Sequence, residues 1–90
     1  MTPRGTAVRM VGVDDARLEV LDCRGQRCPL PVIALARRLP EIQIGAVLRV
    51  IADDPAAAND IAAWCRMRDQ ELAGTTSVDG VPAFDVRRLG

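Results

Sequence analysis

The hydrophobic pattern of this chain predicts an α+β domain: a two-layer α/β sandwich in the order β-α-β-α-β-β, with a four-stranded mixed sheet and two helices on one face. Three observations carry the expectation. Apolar residues recur at i, i+3, i+4, i+7 in two separate stretches, Val32 to Leu39 and Ala58 to Cys65, each preceded by proline, as amphipathic helices require. Between them lies a nearly continuous apolar run, Val47-Leu48-Arg49-Val50-Ile51-Ala52, which reads as a buried central strand. An Asp79-Gly80 pair precedes a segment of alternating character, the signature of a hairpin. Right-handed crossovers between strands then put both helices on the same face.

The elements follow in order. Residues 1–16 have no clear periodicity and carry Thr2, Pro3, Gly5, Gly12 and Asp14-Asp15. They are expected to form a loose or disordered tail, with a short extended piece at Val8 to Val13, and residues 17–90 to form the domain. Leu18 to Leu21 begins the ordered part: Leu18, Val20 and Asp22 fall on one face and Glu19 and Leu21 on the other, a short strand; Gly25 marks the loop after it. Cys28-Pro29-Leu30-Pro31 opens the first helix, because prolines fit a first turn whose amides have no helical partner. Val32, Leu35, Ala36 and Leu39 form its apolar stripe, Arg37 and Arg38 suit its C-terminal end, and Pro40 closes it. Asp53-Asp54-Pro55 reads as a capped start of the second helix, with Ala58, Ile61, Ala62 and Cys65 as its stripe and an end near Arg68 or Asp69. Gln70 to Val78 is a weaker strand built around Leu72, and Ala83 to Arg88 sets Phe84 and Val86 against Asp85 and Arg87 as the closing, half-exposed strand.

Composition excludes several kinds of chemistry. Twelve basic residues, all arginine, balance twelve acidic ones, which argues against a general nucleic-acid or membrane binder. One Trp, one Phe and no Tyr leave little aromatic surface for stacking on bases. The absence of lysine removes Schiff-base and P-loop chemistry, and the absence of histidine removes the usual general base and zinc ligand. Three cysteines in 90 residues make no disulfide framework, and without histidine they make no zinc site, so neither metal nor cofactor is expected. Met1 to Met10 lack the apolar segment of a signal peptide, and no run approaches the ~20 apolar residues of a membrane span. The expected compartment is the reducing cytoplasm, where free thiols persist.

Cys28 is the informative residue. It stands in a loop, immediately before a proline at a helix start, where unpaired amides and the dipole favour an anion. The expectation is an exposed thiol with its pKa lowered from the ordinary ~8.5, helped by Arg24 and Arg27. Such a sulfur suits thiol exchange and persulfide transfer, and without a proton shuttle it does not suit hydrolysis. The bland alternative is a half-buried thiol filling space before a helix.

Leu21-Asp22-Cys23-Arg24-Gly25-Gln26-Arg27-Cys28-Pro29-Leu30-Pro31 resembles the signature of the TusA/SirA-like sulfur-carrier family, an Asp, a Gly and then Cys-Pro-x-Pro. A second block also matches: Ala52-Asp53-Asp54-Pro55, Asp60-Ile61, Trp64-Cys65 and Glu71-Leu72, followed by the weaker Asp79-Gly80. The resemblance spans roughly residues 18–88 and implies the fold already reached from periodicity. It implies a carrier, rather than a stand-alone turnover enzyme, in which Cys28 accepts sulfur from a cysteine desulfurase or rhodanese-type donor. The sulfur then passes to an acceptor protein of tRNA thiolation, molybdenum-cofactor assembly or sulfur metabolism. A monomer with no direct nucleic-acid or membrane contact is expected, the balanced charge supplying no basic excess for either. Pro29 and Pro31 are expected to fix the helix start and keep Cys28 exposed, with Arg24, Gly25 and Arg27 shaping its surroundings. Leu30 stands where tRNA-thiolation members often have Glu, and Asp69-Gln70 where many have Gly-His or Glu-His.

Other candidates read more plainly. Cys23 is expected to be a spectator at a strand end, the alternative being a thiol that resolves a Cys28 persulfide as a disulfide in a redox protein. Cys65 falls on the helical stripe and reads as a core thiol. Asp53 and Asp54 read as helix caps, and as a partner surface near Cys28 if both helix starts lie at one edge of the sheet. Trp64 reads as covering the core margin, with partner contact as its alternative. A non-catalytic interaction module in which Cys28 is incidental is the rival for the whole chain.

Overall fold

Residues 18–90 are described by the computed structural model; the expected tail at 1–16, with its extended piece at Val8 to Val13, lies outside them. The elements are β1 (Leu18–Asp22), α1 (Leu30–Arg38), a 3-10 turn (Leu39–Glu41), β2 (Val47–Ile51), α2 (Ala57–Arg68), β3 (Glu71–Val78) and β4 (Val81–Arg87). They build the expected α+β sandwich. The sheet order is β1-β2-β4-β3, with β1 parallel to β2 and the other neighbours antiparallel.

The register explains the core. Leu21 pairs with Val50, Leu48 with Val86 and Val50 with Phe84, so alternate residues of three strands meet on one face. Leu35 of α1 and Ile61 of α2 close over them, and Leu35, Leu48, Val50, Ile61 and Val86 are fully buried. Arg38 of α1 bonds Glu19 on the same sheet face. The other face is polar: Arg49 lies across from Asp85 and bonds it at 2.8 Å, and Arg87 bonds Glu71 at 3.2 Å. The alternation expected of β4 is therefore real, yet β4 sits inside the sheet, between β2 and β3.

Three local expectations change. The buried stripe of α2 is Ala57, Ile61, Trp64 and Cys65, whereas Ala58 is exposed and Ala62 only partly covered. Burying the large indole gains far more than burying an alanine, and this turns the helix toward Trp64. The α-helical ladder of α1 stops at Arg38, and Pro40 sits inside the 3-10 turn, because proline has no N–H to continue the ladder. Asp53-Asp54 do not cap α2 together, as described below. Elsewhere the turn chemistry holds. Asp79 (φ 52°) and Gly80 (φ 78°) both take positive φ, the two-residue hairpin conformation. Asp69 ends α2 in the left-handed region at φ 56°, and the next amide, of Gln70, bonds back to the Cys65 carbonyl.

Candidate functional site around Cys28

Because β1 and β2 run parallel, the loops that leave them emerge at the same edge of the sheet. The first carries residues 23–29 and the second residues 52–56. Cys23 begins the first loop by continuing the ladder, its amide bonding the Ile51 carbonyl at 2.8 Å, and its side chain is fully buried in the core. Burial pushes the Cys23 thiol up, with the charge of Asp22 adding to the effect. Cys65 is likewise buried and pushed up. Cys28 is the exposed one of the three, and all three thiols are free.

The two loops are sewn together by carboxylates. Asp53 accepts the Gly25 amide at 3.0 and 3.2 Å, where Gly25 turns at φ 82°. Asp54 accepts the Cys28 amide with one oxygen and the Ala56 amide, at 3.0 Å, with the other. Asp54 thus supports the start of α2, whereas Asp53 has left the helix to brace the cysteine loop. Both helix starts do lie at one edge, and both aspartates stand beside the Cys28 loop. The two amide bonds hold the Asp54 carboxyl below the usual carboxylate range.

The arginines divide. Arg24 grips Asp22 with two nitrogens, at 2.9 and 2.7 Å, and so is turned onto its own strand rather than onto Cys28. Arg27 acts electrostatically on Asp54. Pro29 precedes the first helical residue, the Cys28–Pro29 peptide is cis, and Pro31 is buried in the core.

The sulfur itself overturns one expectation. Cys28 Sγ donates to Asp60 Oδ2 at 2.7 Å, and this bond, with partial desolvation and the charges of Asp60 and Asp54, raises the thiol pKa rather than lowering it. The helix start has little to offer an anion. Pro29 and Pro31 have no N–H, the Leu30 amide is spent on the Arg27 carbonyl at 2.8 Å, and the Cys28 amide on Asp54. Asp60, in the first turn of α2, was part of the matching sequence block but drew no role there. The signal was present: parallel β1 and β2 bring the two helix starts together, and Asp60 is the acid in that first turn.

Beside the thiol is a shallow apolar depression of about 220 Å³, lined by Pro29, Val32, Ala63, Trp64 and Met67 together with Cys28 and Asp60. Met67 is 75% exposed and Leu30, one turn away on α1, is 51% exposed. These are large apolar side chains left exposed beside the Cys28 loop.

The model of a protein family described as Sulfurtransferase TusA matches residues 19–88 and so takes in the whole site. The chain belongs to the TusA sulfurtransferase family. Membership in the TusA family assigns a sulfur-carrying role, with donors and acceptors of sulfur as the general class of partner. Two Neisseria meningitidis proteins, from serogroup A and serogroup B strains, are named sulfur carrier proteins; each is 40% identical over 63 residues, covering 70% of this chain and 85% of the relative. A crystal structure of a SirA-like protein from Desulfitobacterium hafniense shares this chain's fold at a TM-score of 0.67 and 23% identity, covering 81% of this chain and 99% of that one. Within the TusA pattern, the departure at Asp69-Gln70 has a local structural role here. Asp69 supplies the left-handed helix end, and the Gln70 side chain accepts the Leu89 amide at 2.7 Å, tying the segment after β4 to α2.

Proposed function

We propose that Cys28 carries sulfur as a persulfide, accepting it from a cysteine desulfurase or a rhodanese-type donor and handing it to an acceptor protein in tRNA thiolation, molybdenum-cofactor assembly or sulfur metabolism. The observation that carries the reading is the exposure of Cys28 at an apolar depression while Cys23 and Cys65 are buried. A sulfur presented in this way can be reached by a second protein's persulfide, and the apolar rim offers that protein something to bind. Pro29 and Pro31 set the helix start that holds the loop, and Gly25, Arg27, Asp53 and Asp54 form the rest of the surface a partner meets. The buried, protonated Cys23 is poorly placed to resolve a Cys28 persulfide, which disfavours a thiol-disulfide redox role. A carrier with free thiols belongs in a reducing compartment, the cytoplasm.

Intact-mass analysis tests the reading after the protein is mixed with a cysteine desulfurase, pyridoxal phosphate and cysteine, or with a rhodanese loaded from thiosulfate. One sulfur atom is gained, reductant removes it, and Cys28→Ser gains none. No gain from either donor would turn attention to the interaction-module reading, in which Cys28→Ser leaves partner binding intact.

A further inference from the structure

We propose that Asp60 biases this carrier toward giving sulfur up: its carboxylate, 2.7 Å from Cys28 Sγ, holds the empty carrier as a thiol and opposes the anionic persulfide formed on loading. The proposal rests on the carrier reading of Cys28.

The argument begins with what a carboxylate can bond. Asp60 offers acceptors only, so its bond to Cys28 needs the thiol hydrogen. Loading removes that hydrogen. Sγ becomes the inner atom of an S–S bond, and the outer sulfur stands one bond, about 2.05 Å, further out. A persulfide is a stronger acid than its parent thiol, so the outer sulfur carries negative charge at neutral pH. Among the described residues, the charged groups that act on Cys28 are both acidic. Asp60 faces it from α2, and Asp54 faces the Cys28 amide from the second loop. Arg27, on the cysteine's own loop, acts on Asp54, and Arg24 is bound to Asp22. Pro29, Val32, Ala63, Trp64 and Met67 add apolar surface, which solvates an anion poorly.

The exchange balances without any added oxidant or reductant. Cys28 Sγ attacks the outer sulfur of a donor persulfide anion and forms a new S–S bond. The donor's S–S bond breaks, its electron pair staying on the donor sulfur. The Cys28 proton passes by way of Asp60 to that departing sulfur. A thiol and a persulfide anion give a thiol and a persulfide anion, and one sulfur atom has moved. Asp60 stabilises the side on which Cys28 is the thiol and destabilises the side on which it bears the anion. Loading is therefore held back, and transfer to an acceptor thiol is favoured.

The test equilibrates the full chain with glutathione persulfide and excess glutathione at pH 7 and reads the loaded fraction by intact mass. Wild type is compared with Asp60→Asn, with Asp60→Ser as a second neutral replacement, and with Asp60→Glu, which keeps the charge. The rate of Cys28 alkylation by iodoacetamide is followed against pH in parallel. The neutral variants are expected to raise the loaded-to-empty ratio about tenfold and to lower the alkylation midpoint by about one pH unit, with Asp60→Glu close to wild type. An unchanged ratio or midpoint in both neutral variants, with wild type loading normally, overturns the role of Asp60 and leaves the carrier reading standing. A wild-type chain that takes up no sulfur overturns the carrier reading, and this proposal with it.

Discussion

Asp54 accepts amides from two elements that are far apart in sequence, Cys28 and Ala56, and its acidity reflects both bonds. Asp22, gripped by Arg24, is held low as well. The sign of their linkage to stability follows directly. A carboxyl whose folded pKa lies below its unfolded value of about 3.9 contributes stability above that value, and the contribution is lost as pH falls through the folded pKa. The urea midpoint should therefore stay level from pH 7 to about 5 and decline below about pH 4, and Asp54→Ala should both lower the midpoint at pH 7 and flatten the acid decline. A decline of wild-type shape in Asp54→Ala would show that other carboxyls dominate. At the cysteine the sign is opposite. The proton on Cys28 is held more tightly than in a free thiol, so its alkylation midpoint should lie above about 8.5, and a midpoint at or below that value would contradict the Asp60 contact.

At the scale of elements, the loop between β1 and α1 depends on Gly25 for its turn at φ 82° and on Asp53 for its anchor. A Cβ at Gly25 would meet nothing within 4 Å, so Gly25→Ala tests backbone conformation alone. It should cost about 1–2 kcal/mol in urea unfolding, the usual penalty for an L-residue in the left-handed region. No change in stability would mean that the loop turns elsewhere. The same loop shows how far a sequence can be read. Helices, strands and the Asp79-Gly80 hairpin were legible because each depends on local periodicity and turn chemistry. The Cys-Pro-x-Pro run likewise marked an exposed cysteine in front of a helix. The protonation of that cysteine was not legible, since Asp60 lies 32 residues away and reaches it only through the pairing of β1 with β2. The use of Asp53 as a loop brace was hidden for the same reason. The rotation of α2 was hidden because Ala58 and Trp64 lie on opposite sides of Ile61 at equal spacing, and only packing chooses between them.

For the whole molecule, the thin two-layer core concentrates its stability in a few side chains. Leu48 lies on β2 opposite Val86 and is fully buried. Leu48→Ala should cost about 3 kcal/mol and lower the melting temperature by roughly 10–20 °C, a large part of what a domain of this size holds. A loss below about 1 kcal/mol would mean that the neighbouring side chains close the cavity. The same core hides two of the three thiols, and its central strand pair, β2 with β4, joins segments more than thirty residues apart. The unfolded chain therefore presents three open sulfurs and the folded chain one. Its maturation can be timed by how many thiols a brief pulse of alkylating reagent labels. In an oxidising medium the unfolded chain can join Cys23 or Cys65 to the wrong partner, whereas the finished chain offers Cys28 alone.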